Sequence, residues 1–204
     1  MSVTQVLGRA LVLAGSVVLL SGCAGHHTGK LDDKLRAEAT ISGPGITGEA
    51  RLYQEYEGRV RIKMTVQGTP DSTLTPGRHA VHIHEAGACD PFTAAKGHYD
   101  GNIDPQINPQ ANVSPDLGNH PYHLGDLPNL VVDENRKGTL YTITNRVTLS
   151  PGPTTLLDTD GSAFIIHGLE DKYLPDPPAK DAPGGSRIAC DYEEVMRCTA
   201  SRKA

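Results

Sequence analysis

Three features of the sequence predict an all-β fold, an antiparallel sandwich or barrel. Residues 59–66, RVRIKMTV, alternate strictly, with Val60, Ile62, Met64 and Val66 on one face and Arg59, Arg61, Lys63 and Thr65 on the other. That is the period of a strand with one buried face. The 204-residue chain carries 22 Gly and 15 Pro against 2 Phe and no Trp, a composition that favours short strands and shaped turns over long helices. Further short apolar segments recur between turn-forming pieces, as in sandwiches and barrels.

In chain order, the first segment is an address. Arg9 precedes an apolar run from Ala10 to Leu20, about half of what a membrane-spanning helix needs and laid out like a secretory signal. The run ends in Leu20-Ser21-Gly22-Cys23, which resembles a bacterial lipobox. Residues 1–22 read as a lipoprotein signal peptide, with Cys23 lipidated as the new first residue. Residues 23–35 are polar without hydrophobic period and read as a tether carrying His26 and His27, and residues 36–204 read as one domain. Formal net charge is -5, and removal of the leader takes away Arg9 and no carboxylate, leaving the mature chain more acidic by one. An acidic chain argues against non-specific nucleic-acid binding.

Strands are predicted at Ala37–Ile41, Glu49–Gln54, 59–66, Ala80–His84, Leu130–Val132, Thr139–Asn145 and Ala163–His167, with turns at Ser42-Gly43-Pro44-Gly45 and Asn135-Arg136-Lys137-Gly138. Two stretches, Glu85–Asn129 and Gly168–Ile188, are too long and irregular for simple turns. Loops of that length in a compact domain are usually functional or disordered. An exported chain meets an oxidising compartment, so disulfides are permitted. With Cys23 lipidated, Cys89, Cys190 and Cys198 remain, and spacing allows either Cys89–Cys190 or Cys190–Cys198.

The histidines point to a metal site in the long loops. In Ala80-Val81-His82-Ile83-His84, alternation puts His82 and His84 on one face and Val81 and Ile83 on the core face, which His79 shares by parity. Two imidazoles on a rigid strand reach one metal ion with little extra ordering. His98, then His120, His123 and Asp126, follow in the first long loop, and His167 ends an apolar strand. Imidazole-rich ligation suits copper or zinc, with a carboxylate marking a harder or zinc-like position.

His-Ala-Val-His-Ile-His-Glu, Gly-His-Tyr, His-Leu-Gly-Asp-Leu-Pro, Ile-Ile-His and Gly-Gly-Ser-Arg-Ile-Ala-Cys together resemble the copper/zinc superoxide dismutase family, in that family's order, across roughly Ala37 to Asp191. The resemblance implies an eight-stranded Greek-key β-barrel, an immunoglobulin-like sandwich, with two long loops holding the metals outside it. By position it implies copper on His82, His84, His98 and His167, and zinc on His98, His120, His123 and Asp126, with His98 as the bridge. It implies that Asp171 orients outer ligands of both metals, that Arg187 attracts and orients superoxide at copper, and that Cys89 and Cys190 form the intrachain disulfide. Lys180, before Arg187, is a further candidate for anion attraction. The implied activity is dismutation of superoxide by a lipid-anchored protein of the bacterial cell envelope, and a homodimer is compatible with it. The alternative on the same fold is a non-catalytic copper-binding or copper-delivery lipoprotein, which is expected to lack Arg187 or a copper histidine. The chain departs from the family pattern at several points. His120 and His123 are closely spaced, Asp100–Gly118 is an insertion, Asp100-Gly101 replaces Asn-Pro, Asp191 replaces Gly, and the tail from Tyr192, with Cys198, is unmatched.

Overall fold

The structure, a computed structural model, describes residues 36–55, 58–101, 121–174, 181–191 and 197–198. The leader, the tether with Cys23, His120, Lys180 and most of the tail after Asp191 lie outside the described residues.

The predicted alternation becomes antiparallel strands: β1 (Arg36–Gly43), β2 (Ile46–Gln54), β3 (Val60–Gly68), β4 (Gly77–His79), β5 (Val81–His84), β6 (Leu130–Val132), β7 (Lys137–Thr144), β8 (Ala163–His167), β9 (Arg187–Asp191) and β10 (Arg197–Cys198). In β3 the even-numbered residues Val60 to Val66 are buried, as the sequence pattern predicts. β1 and β2 form a hairpin with Gly43 opposite Ile46. Its corner is Pro44, whose ring presets φ, followed by Gly45 at φ 69, a left-handed position that glycine adopts at little cost.

The sheet runs β4-β6-β7-β3-β2-β1-β9-β8-β5, with β10 pairing to β1 off this path. Its two ends, β4 and β5, are separated in sequence by Ala80 alone. The segment 77–84 therefore pairs with β6 through its first half and with β8 through its second, which closes the sheet into a barrel. Counted as one strand, that segment makes the barrel eight-stranded. Closure removes the exposed edges that an open sheet would present. Ile41, Leu52, Ile62, Leu130, Leu149 and Phe164 are among the side chains that fill the interior.

Three strands are absent from the sequence prediction. β4 is three residues long, and β9 buries its three central residues together, so neither shows a two-residue period. β10 has two residues, pairing Cys198 with Ala37. The predicted second loop is correspondingly shorter at its end, because Arg187 and Ile188 already belong to β9.

Both long loops are tied to the barrel. Cys89 and Cys190 form a disulfide across a sequence separation of 101, joining the first loop to β9. Such a bond belongs to a non-reducing compartment. A smaller apolar cluster of Ala95, Ala163, Ile165 and Cys190, packed against Phe92 and Cys89, lies beneath it. Farther along the loop, Ile83 donates its amide to Gly125 and accepts from Tyr99, and Gly125 donates to Tyr99. A Cβ at Gly125 would collide with the Ile83 carbonyl, so this lacing requires glycine.

Asp191 stands next to the disulfide and accepts the Phe164 amide on Oδ1 at 2.9 Å. Burial of its carboxyl pushes the pKa up to about 8. An unfolded chain releases that proton near pH ~3.9. Between that pH and about 8 the folded protein holds a proton the unfolded chain has lost, so stability falls as pH rises through this window. The contribution approaches ~1.4 kcal/mol per pH unit. Asp191→Asn is expected to flatten the profile: urea midpoints of the two metal-free proteins should diverge from pH 5 to 8. Parallel profiles would refute it.

Candidate metal centre

The two strand histidines arrive on one face because β5 is extended, and its register with β8 sets His82 opposite Ile165 and His84 opposite Ala163. His167 closes β8, where a register irregularity at Ile166/His167 turns the strand end. The first loop brings His98 alongside through its isolated bridge to His84, and Asp126 through a bridge to His82. His82, His84, His98 and His167 are all buried and can each offer one ligand atom within 4.8 Å of the others. His98, His123 and Asp126 form a second such group, sharing His98 with the first. The structure thus brings together every predicted ligand that lies among the described residues.

Hydrogen bonds orient each ring. His82 Nε2 donates to Asp171 Oδ2 at 3.0 Å, His84 Nδ1 to the Lys96 carbonyl at 3.0 Å, and His167 Nδ1 to the Gly185 carbonyl at 3.0 Å. Those outer partners are acceptors, so each ring's inward nitrogen carries the lone pair. His82 Nδ1 and His167 Nε2 consequently face one another at 3.2 Å as two acceptors, an arrangement a cation would satisfy. His84 Nε2 is buried with no hydrogen-bond partner. Leaving such an atom unsatisfied costs on the order of 1–3 kcal/mol, which makes it the clearest single mark of an intended ligand.

Burial and the proximity of His98 lower His82 to about 4, and burial with His82 nearby lowers His167 to about 3. Burial, His98 and the Arg187 charge hold His84 well below the ordinary value. These rings are neutral near pH 7, the state in which imidazole binds a metal. His98 stacks on His82 with centroids 4.0 Å apart and points Nδ1 at Asp126 Oδ1, 2.6 Å away. Asp126 Oδ2 lies 3.1 Å from His123 Nδ1 and accepts the His123 amide at 3.0 Å.

Asp171 is itself held. Asn129, the last residue before β6, accepts the Asp171 amide on Oδ1 at 2.8 Å and donates Nδ2 to the Asp171 carbonyl at 3.0 Å. The Tyr173 amide donates to Asp171 Oδ1 at 2.7 Å. Arg187, the first residue of β9, donates to the carbonyls of Phe92 at 2.8 Å and Lys96 at 2.6 Å. Lys96 O therefore receives both His84 and the arginine. It sits at φ 64, ψ -147, a conformation that non-glycine residues adopt at a cost of roughly 1–3 kcal/mol. Its ammonium pairs with Asp160 Oδ2 at 2.8 Å, which ties this loop to the one before β8.

The family model for copper/zinc superoxide dismutase matches residues 46–191, a span that contains both ligand groups and the disulfide. The chain belongs to the copper/zinc superoxide dismutase family. Superoxide dismutase (Cu-Zn) 2 of Aquifex aeolicus (strain VF5) is 33% identical over 184 residues, covering 88% of this chain and 94% of that protein. Superoxide dismutase (Cu-Zn) of Legionella pneumophila is 37% identical over 137 residues, 65% of this chain and 75% of the relative. Among solved structures, that of the clock protein EA4 superposes with a TM-score of 0.58 at 25% identity, covering 82% of this chain and 97% of that one. As a copper/zinc superoxide dismutase, the chain is an oxidoreductase with copper and zinc as cofactors. The four-histidine cluster and the histidine–aspartate trio fit that pair of metals in donor type and burial.

Sequence reading did not single out Asn129, Lys96 or Arg146. Asn129 ends the His-Leu-Gly-Asp-Leu-Pro-Asn run, so its place beside a ligand motif was the available signal. Lys96 acts through its carbonyl, which has no sequence signature.

Proposed function

We propose that this chain dismutes superoxide to oxygen and hydrogen peroxide on an exported, lipid-anchored protein. The observation that carries this reading is the convergence of four buried imidazoles, one of them shared with a histidine–aspartate trio, beside an arginine. His82, His84, His98 and His167 hold copper, and His98, His123 and Asp126 hold zinc, with His120 as its fourth ligand. Copper, when bound, supplies the one-electron acceptor and donor for the two half-reactions, in which one superoxide is oxidised and a second is reduced and protonated.

The chain's own residues do the rest. Asp171 and the carbonyls of Lys96 and Gly185 fix the tautomers of His82, His84 and His167, so these three rings need no reorganisation between half-reactions. His98 presents Nδ1 to the Asp126 side and Nε2 to the other histidines. With copper reduced, it would hold on Nε2 a proton taken from water and deliver it to the peroxide formed, the second proton coming from water. Arg187 attracts the anion locally, against a chain whose net charge is -5. Residues 1–22 direct export, Cys23 carries the lipid, and residues 23–35 space the domain from the membrane, with a homodimer as a compatible assembly.

The mature protein, purified in detergent, tests this reading. It should contain copper and zinc and remove superoxide. Absence of copper overturns the enzyme reading, and absence of turnover with copper fully loaded overturns it in favour of a copper-binding or copper-delivery role. Retention of Arg187 and all four copper histidines favours the enzyme. Cys23→Ala should move the protein from the membrane to the soluble fraction.

A further inference from the structure

Arg146 lies two residues past the end of β7, half-buried, on a segment that packs beneath the turn 123–126. Its guanidinium donates Nη1 to the His123 carbonyl at 2.8 Å and Nη2 to the Asp126 carbonyl at 2.5 Å. These are the backbone oxygens of two residues in the histidine–aspartate trio. We propose that Arg146 is a positioning residue for the zinc half of the centre, stapling both ends of the turn that carries His123 and Asp126. The proposal rests on the zinc assignment made above.

The geometry favours this role in three ways. A planar guanidinium offers parallel donors that span two carbonyls, whereas a lysine ammonium is a point donor. The two carbonyls bracket a tight turn, since the Asp126 amide also donates to the His123 carbonyl at 3.2 Å. Arg146 is anchored in turn, its amide donating to Thr144 Oγ1 at 3.1 Å. On the turn's other side, Gly125 is laced to Ile83 and Tyr99. The turn is thus gripped from β5 and from the end of β7. The loop need not be ordered afresh when the ion arrives, and the ordering entropy that would weaken binding is already spent. Because the grip is on backbone oxygens, Arg146 acts through the turn on both ligands together.

The mature protein with Arg146→Met and with Arg146→Lys tests the role, using zinc in competition with a chromogenic chelator and cobalt(II) as a spectroscopic probe of the zinc position. Arg146→Met is expected to weaken zinc binding by about 10–100-fold, the usual cost of losing an outer partner. Arg146→Lys should fall between it and the parent. The cobalt(II) visible bands should shift and the zinc-induced rise in Tm should shrink, with copper affinity unchanged. Parent-like zinc affinity and cobalt(II) spectra in both variants overturn the inference. So does an equal loss of zinc and copper accompanied by a lower metal-free Tm, because that is the mark of a merely structural residue. A parent protein that takes up no zinc overturns the zinc assignment itself, and the inference with it.

Discussion

His84→Ala is expected to abolish copper retention and, with it, all measurable superoxide turnover, while leaving the metal-free barrel folded. The ring contributes Nε2, a buried atom with no hydrogen-bond partner, and Nδ1, which donates to the Lys96 carbonyl. Without metal, the buried Nε2 is a liability of roughly 1–3 kcal/mol, and its removal offsets part of the cavity left behind. The Lys96 carbonyl keeps a donor, because Arg187 also reaches it. Metal-free stability should therefore change by no more than ~2 kcal/mol, the balance of those two effects. With metal the comparison reverses, since the variant has lost one of the four proposed copper ligands. Copper stoichiometry and Tm, each measured with and without added copper, separate the two states. Full copper occupancy with turnover close to the parent's would remove His84 from the ligand set.

The second large effect is expected at Arg187. Arg187→Ala should lower turnover by roughly 10–100-fold at full copper occupancy, within the range that local field focusing adds to an association rate. The expectation follows from charge: the chain is acidic overall, so attraction of an anion depends on cations at the site. Arg187 has a second task, holding the carbonyls of Phe92 and Lys96. Arg187→Lys keeps the charge and loses the fork, so it distinguishes the two tasks. It should recover part of the turnover and much of the ionic-strength dependence that the alanine variant loses. Turnover of Arg187→Ala equal to the parent's, with the same salt dependence, would exclude the steering role.

Much of the barrel was legible because strand burial is a local pattern. Residues 59–66 show it most plainly, and the same parity set His82 and His84 opposite Val81 and Ile83 before any partner strand was known. β9 escaped because Ile188, Ala189 and Cys190 are all buried, so its alternation is hidden. Closure of the barrel was equally hidden, since nothing in the residues 77–84 says that one half pairs with β6 and the other with β8.

At the metal centre the division is sharper. The sequence by itself determined the donor types and the pairing of two imidazoles on one face, while the grouping of histidines and cysteines was implied by the family resemblance. Tertiary structure alone decided which nitrogen of each ring faces inward, and what grips the turn 123–126. Those choices are made by the carbonyls of Lys96, Gly185, His123 and Asp126 and by the carboxylate of Asp171. Side-chain chemistry and strand parity are properties of the chain read locally. A backbone carbonyl is the same group at every residue, so its role exists only once folding has aimed it.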